Sequence, residues 1–422
     1  MSTSLELDIL EELSYIPTLD AHEHLDPEEH LLNLPRDFFD LFRHYSAGDL
    51  ISAGATKDDL ALIRNKEMPL ETRWNRFFPF YKKIKYGGYA TSARIVIRDI
   101  LGFDELNDDT YQPISEKLQA ETKPGLYDRI LQTHCNIAAC IQCWYLDKGP
   151  FPDYFYHLAP SPEIINLTSF ESLEALSKKC DQPIHSLQDA LDCMTITMER
   201  WRANPKVVGI KSGHAYQRGL NFTRTTAHEA ETVFNRIFTN ESKTLSITEA
   251  VPLQNFLMYE MAARAEALQL PLVFHTGLQA GNCNRIANAN PLLLQPLLES
   301  FPNAKVDLFH GGIPWVREIG VLAKYFPGVH LNMAWMHIIS PTMARNALSE
   351  WLDMVPANKI FAFGGDYAVV EMVYGHLTIA RRNLAAVLAD KIKAGYITHT
   401  EALSLARQML FDNPAEFYNI SQ

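Results

Sequence analysis

Leu270-Pro271-Leu272-Val273-Phe274-His275-Thr276-Gly277 decides the fold. It is a short apolar run, too brief for a helix, stopped by a threonine and a glycine, and its last side chain is a histidine. The same design returns in Ala304-Lys305-Val306-Asp307-Leu308-Phe309-His310, which is followed by Gly311-Gly312. Further runs of this kind are Ile137–Trp144, a weaker Glu163-Ile164-Ile165-Asn166-Leu167, and Lys206-Val207-Val208-Gly209-Ile210-Lys211. Downstream come Val329-His330-Leu331-Asn332-Met333 and Lys359-Ile360-Phe361-Ala362-Phe363-Gly364. With Ile16-Pro17-Thr18-Leu19-Asp20-Ala21-His22-Glu23-His24-Leu25 near the N-terminus, the runs number eight.

Between the later runs lie segments of helical periodicity: Phe256–Leu268, Leu292–Ser300, Trp315–Tyr325 and Thr342–Met354. Alternating buried strands and helices predict an α/β protein with a parallel sheet, and eight repeats predict a closed (β/α)8 TIM barrel. The first two strands are separated by about a hundred residues, too many for a structureless loop. The spacing therefore predicts a barrel from residues 1–25 and 131–422, with a mostly helical insertion over 26–130 that covers the barrel mouth. Residues Gly375 to Asn419 read as helices on the outside of the barrel, with Thr398 or Thr400 as a cap.

Composition narrows the function classes. At 422 residues, 47% hydrophobic and 21% charged, the chain has ample material for a large core. Its net charge of −12, with no basic tract, gives no support to nucleic-acid binding. Neither a secretory leader nor an apolar run of about 18 residues is present, so a cytoplasmic protein without a membrane partner is expected. Six cysteines do not form a disulfide framework. Cys140 and Cys143 make a C-x-x-C inside an apolar run, where cysteine behaves as a small buried hydrophobe rather than a zinc or redox ligand. The oligomeric state is left open, a homo-oligomer included.

The chemistry sits at the strand ends. In a strand, residues two apart share a face, so His22 and His24 point together while Glu23 points away. Alone the pair is weak, since 15 histidines placed at random give roughly half of one such pair. His275 and His310 each close a strand before glycine, Asp366 follows Gly364-Gly365, and Lys211 ends a fifth run. Singly, each histidine reads as a satisfied core residue, Asp366 as a turn or cap, and Lys211 as a solvated lysine. Together they are the set that C-terminal barrel ends bring to one active site. Neutral imidazoles and a carboxylate suit zinc, with manganese or iron(II) as alternatives.

The order His22-x-His24, Lys211, His275, His310, Asp366 resembles the amidohydrolase superfamily. Within it, Gly209–Leu220 and Leu272–Gly277 are similar to the amidohydrolase-related branch that includes decarboxylases and the nodulin-type domains fused to glutamine synthetase. A more distant similarity is to uronate isomerase, through the first histidine pair and the last aspartate. The resemblance implies one divalent metal, with His22, His24 and His275 as ligands and Asp366 as a further ligand or partner of the metal's water. Asp366 would take the water's proton and His310 would bond the polarised substrate oxygen. In binuclear members a lysine placed like Lys211 is carbamylated and bridges two metals; in others it contacts substrate.

For substrate, Arg218 on the loop after the fourth strand could clamp a carboxylate, and His214, Tyr216, Trp335 and His337 also follow strand ends. Arg285, and Arg73 and Arg76 beside Trp74, are weaker candidates, each read singly as structural. The expected function is a metal-dependent hydrolase of C–N or C–O bonds in a small, anionic molecule such as a sugar acid, lactone or carboxylated aromatic. The alternatives are decarboxylation or aldose–ketose isomerisation at the same site, or a catalytically silent barrel that serves as a binding module.

Overall fold

The structure, a computed structural model, describes residues 4–143 and 149–421. Eight strands follow one another in one sheet in chain order: β1 (Thr18–Glu23), β2 (Ile137–Cys143), β3 (Phe155–Pro160), β4 (Val207–Ser212), β5 (Leu272–Phe274), β6 (Val306–Leu308), β7 (Val329–Asn332) and β8 (Ile360–Phe361). Every adjacent pair is parallel. The segment after β8 lies beside β1 in the same direction: Ala21 N–H donates to Phe363 O at 3.3 Å, Asp366 N–H to His22 O at 2.7 Å and His24 N–H to Tyr367 O at 3.1 Å. These bonds bring the two ends of the sheet together, as the predicted TIM barrel requires.

One strand differs from the sequence reading. Glu163–Leu167 does not enter the sheet; Pro162–Ile165 is a short helix, and β3 is Phe155–Pro160. Proline fits the first turn of a helix, where its missing N–H costs nothing, and Ile164 and Ile165 are buried without a sheet. Trp144, the predicted end of the second run, lies outside the described residues. A helix at Ser4–Tyr15, not read from the sequence, precedes β1. The helix before β5 starts earlier than expected, at Ile247, where Ser246 and Glu249 form a capping box. Thr398, not Thr400, is the cap of His399–Arg407.

Leu19, Ala21, Ala139, Ile141, Leu158, Val208, Val273 and Phe361 fill the barrel interior, and Phe417 and Tyr418 pack on the same cluster. Two irregularities in the ladder then set the site. Asp20 pairs with Cys140 and Glu23 with Gln142, so β1 carries one extra residue there. Strict alternation from Leu19 and Ala21 would turn His22 and His24 outward; the bulge turns them inward. It also puts Asp20 and Glu23, three apart, on the same outer face. In β4, His157 pairs with Val207 and Leu158 with Gly209, and this extra residue turns Lys211 inward after Val208.

Between β1 and β2 the chain forms a series of helices, the longest Leu70–Ile84 and Gly88–Asp99. They share one apolar cluster with the helices around the barrel. Gly375 of the helix Val370–Lys393 lies so close to Gly88–Asp99 that a Cβ would stand 2.3 Å from Ser92 O. A buried ion pair, Arg36–Glu371 at 3.0 Å, ties the start of the same long helix to the segment before Phe38.

Candidate metal centre

His22 stands near the end of β1 and His24 just after it, and Asp366 follows β8 in the left-handed conformation, with φ 57°. Asp366 Oδ1 stands 3.2 Å from His22 Nε2 and 3.3 Å from His24 Nε2. Among the described residues these three form the one group of histidine, cysteine or acidic side chains with ligand atoms close enough to share an ion. Tyr45 also lines this pocket and faces Asp366.

The backbone around Asp366 is tied to β1 at three successive residues. Gly365 N–H donates to Asp20 Oδ1 at 2.9 Å, Asp366 N–H to His22 O at 2.7 Å, and Tyr367 N–H to Glu23 Oε2 at 2.7 Å. Asp20 and Glu23, both fully buried, also hydrogen-bond each other. Burial pushes Asp20 up to about 6 and Glu23 well above the usual carboxylate range, so the pair holds a proton. At Gly365 a Cβ would lie 1.8 Å from Glu23 Oε1, so a side chain there would displace the clamp.

His275 and His310 stand beside this group. His310 Nδ1 is 3.0 Å from Ala334 O, and His275 Nε2 is 2.9 Å from Leu278 O. A carbonyl only accepts, so these nitrogens carry the protons. His310 Nε2 and His275 Nδ1 then face each other, 3.0 Å apart, with a lone pair each. A cation ligated there removes that repulsion, whereas a proton is disfavoured: burial holds both imidazoles well below their ordinary range. Burial does the same to His22 and lowers His24 to about 3. Four neutral imidazoles, one carboxylate and a pair of opposed lone pairs fit a divalent ion.

Lys211 Nζ lies in this pocket with no hydrogen-bond partner, 3.4 Å from the centre of the Phe309 ring. Burial lowers it to about 8. The cavity around these groups is about 500 Å³ and is also lined by Asp26, His44, Tyr45, Asn166, His214, Tyr216 and Gln217. His214 is held by Ser212 Oγ at 2.9 Å and Asn166 Oδ1 at 2.8 Å. Tyr216 packs 4.6 Å from His275, its hydroxyl accepting Ala280 N–H.

Other expected residues stand elsewhere. The Arg218 guanidinium is not in the pocket: it donates to Asn255 Oδ1 at 2.8 Å, to Gln254 Oε1 at 3.3 Å and to nearby carbonyls, packed against Phe222. Trp335 lies behind the pocket, stacked on Tyr45 at 4.2 Å. His337 is bound to Ala362 O and Asn383. Arg73 pairs with Asp37, Arg76 with Asp59, and Arg285 is exposed. Cys140 and Cys143 are buried and free. The sequence reading missed His44 and Tyr45, which come from the inter-strand helices and carry no periodic signal. It also missed Asp20 and Glu23, whose pairing depends on the bulge.

Fold and site together define a (β/α)8 barrel with a His–His–Asp group at its strand ends. A family model described as amidohydrolase matches residues 191–420, and the chain belongs to that family. The match includes Lys211, His275, His310 and Asp366. Protein fluG of Emericella nidulans is 28% identical over 229 residues, 52% of this chain; the match spans about a quarter, 26%, of that relative's length. Uronate isomerase of Thermotoga maritima superposes with a TM-score of 0.82 at 14% identity, covering 99% of this chain and 98% of the other. Glucuronate isomerase of Caulobacter crescentus gives 0.81 at 19% identity, over 99% and 94%. These two similarities concern the fold. No helix among the described residues is long and apolar enough to cross a membrane.

Proposed function

We propose that the chain is a metal-dependent hydrolase acting on a C–N or C–O bond of a small, anionic substrate. The observation that carries this reading is the Asp366 carboxylate set between two neutral imidazoles, 3.2 and 3.3 Å away, at the mouth of the barrel. His22, His24, His275 and Asp366 would hold one ion, zinc first, with manganese or iron(II) as alternatives. Such an ion supplies Lewis-acid polarisation of a substrate oxygen and activates water.

The chain's own residues do the rest. Asp366 accepts the proton of the attacking water and passes it to the leaving nitrogen or oxygen as the bond to carbon breaks. The Asp20–Glu23 clamp holds the backbone of that carboxylate in place. His310, its Nδ1–H given to Ala334 O and its Nε2 lone pair directed at His275, presents no N–H to substrate. Lys211 Nζ, free of other partners, donates to an anionic oxygen of the substrate. Hydrolysis is tested by turnover in oxygen-18 water: label in the product supports the reading, and turnover with unlabelled product removes it.

A second reading, aldose–ketose isomerisation, is favoured by one feature of the site. The Tyr45 hydroxyl faces Asp366 across the pocket and sets a proton donor near the base, as a proton shift between adjacent carbons needs. The fold shared with two uronate-type isomerases over 99% of the chain is consistent with it. Here no solvent oxygen enters the product, and solvent deuterium appears on carbon.

A further inference from the structure

Beside the metal pocket lies a larger cavity of about 940 Å³, and the two meet at His44, Tyr45 and Ala280, which line both. Lys57, Leu60, Ala61 and Arg64 of the helix Lys57–Arg64 line it at the i, i+3, i+4, i+7 spacing of one helical face. Arg43 adds a third cation. No aspartate or glutamate lines this cavity, in a chain whose net charge is −12.

Two of the three cations are not spent on neighbours, and the third is paired only loosely. Arg43 approaches Asp40 only to 3.8 Å, and Asp40 is already held by Lys66 at 3.0 Å and Arg36 at 3.5 Å. Lys57 and Arg64 make no ion pair among the described residues. A concave surface with one sign of charge concentrates its potential and draws counter-charged ligands. Guanidinium groups add directed, paired hydrogen bonds to carboxylate or phosphate. Ala47, Ile51 and Leu60 supply apolar wall between the cations.

We propose that this cavity receives the far end of an elongated substrate: an apolar spacer ending in an anionic group, carboxylate or phosphate, whose reacting end lies at the metal pocket. The proposal rests on the reading of that pocket as the catalytic site. It makes the inter-strand helices a specificity element, reaching beyond the metal ligands.

The test is calorimetric titration of inorganic phosphate, and separately of glutarate, into the full chain after chelation, which removes binding to metal. Wild type is expected to bind at least one of the two, and whichever binds more tightly identifies the anionic group. The K57Q/R64Q double variant should bind that anion about tenfold more weakly, the weight of two exposed charge contacts. Its zinc content on reloading and its melting temperature should stay those of wild type. R64K, which keeps the charge, should stay close to wild type. Equal affinity in wild type and K57Q/R64Q, or no binding of either anion, overturns the proposal and leaves the metal-site reading intact. Charge-dependent anion binding in a chain that takes up no zinc would support the anion site and remove the catalytic reading alone.

Discussion

Glu23→Ala should weaken the fold and the metal site together, whereas Glu23→Gln should spare both. Glu23 Oε2 accepts the Tyr367 N–H at 2.7 Å, and its carboxyl bonds Asp20, all fully buried. Alanine leaves the Tyr367 N–H and the second oxygen of the Asp20 carboxyl, Oδ2, without a partner, at about 1–3 kcal/mol for each, or about 2–6 kcal/mol in all. A chain of 422 residues unfolds with an entropy of about 0.9 kcal/mol/K, so melting should fall by about 2–7 °C. Glutamine matches the protonated glutamate: its carbonyl still accepts from Tyr367 and its amide still donates to Asp20.

The assay is thermal unfolding in chelator and again with zinc at about a hundred times its dissociation constant. Zinc at that excess adds about 2.7 kcal/mol to wild type, or about 3 °C. In Glu23→Ala most of that increment should disappear, because Asp366 is no longer held against β1. Alanine behaving like wild type, or glutamine as damaging as alanine, would refute the clamp.

His22→Ala should lower the metal content of purified protein well below one ion per chain, measured by plasma mass spectrometry, and His275→Ala should do the same. Asp366→Asn should cost about a hundredfold or more in turnover while moving the melting temperature by a few degrees at most. Asp307, bonded to Asn332 and Tyr418 inside the barrel, is pushed by burial from 3.8 up to about 7. A raised folded value means the stability is present below about pH 4 and is lost as pH rises through 7, about 4 kcal/mol at 1.36 kcal/mol per unit. Asp307→Asn should flatten that decline in chelated protein melted between pH 4 and 8.

The barrel was legible because its later strands are short apolar runs ended by a polar residue and glycine, and helices of clear period lie between them. The third strand was not, because Phe155–Pro160 mixes tyrosine, histidine and proline, while the neighbouring Ile164-Ile165 is more strand-like in composition than in its setting after Pro162. His22, His24 and Asp366 were legible as residue types at strand ends. The bulges that aim His22, His24 and Lys211 inward were not, since an extra residue in one strand shows only against its partner's register. Arg218 illustrates the opposite failure. Its position suits a substrate clamp, but its donors are taken by Gln254 and Asn255, on a helix whose approach no local pattern reveals.

The proposed metal ligands straddle the seam where the sheet closes, and this would couple ion binding to closure. The bonds that join the segment after β8 to β1 run through the same residues: His22 O accepts from Asp366, and His24 N–H donates to Tyr367 O. An ion held by His22, His24 and Asp366 therefore links the first strand to the last, and opening the seam must release it. Its binding free energy then belongs to the seam and not to the sheet at large. With zinc at a hundredfold excess, about 2.7 kcal/mol, exchange of the Asp366 and His24 amides through seam opening should slow by about a hundredfold. The amides joining β5 to β6, such as that of Leu272 bonded to Lys305 O, should slow far less. Hydrogen exchange followed by mass spectrometry or NMR reads both. Equal slowing in the two places would mean that the ion stabilises the barrel globally and that the seam is not where it acts.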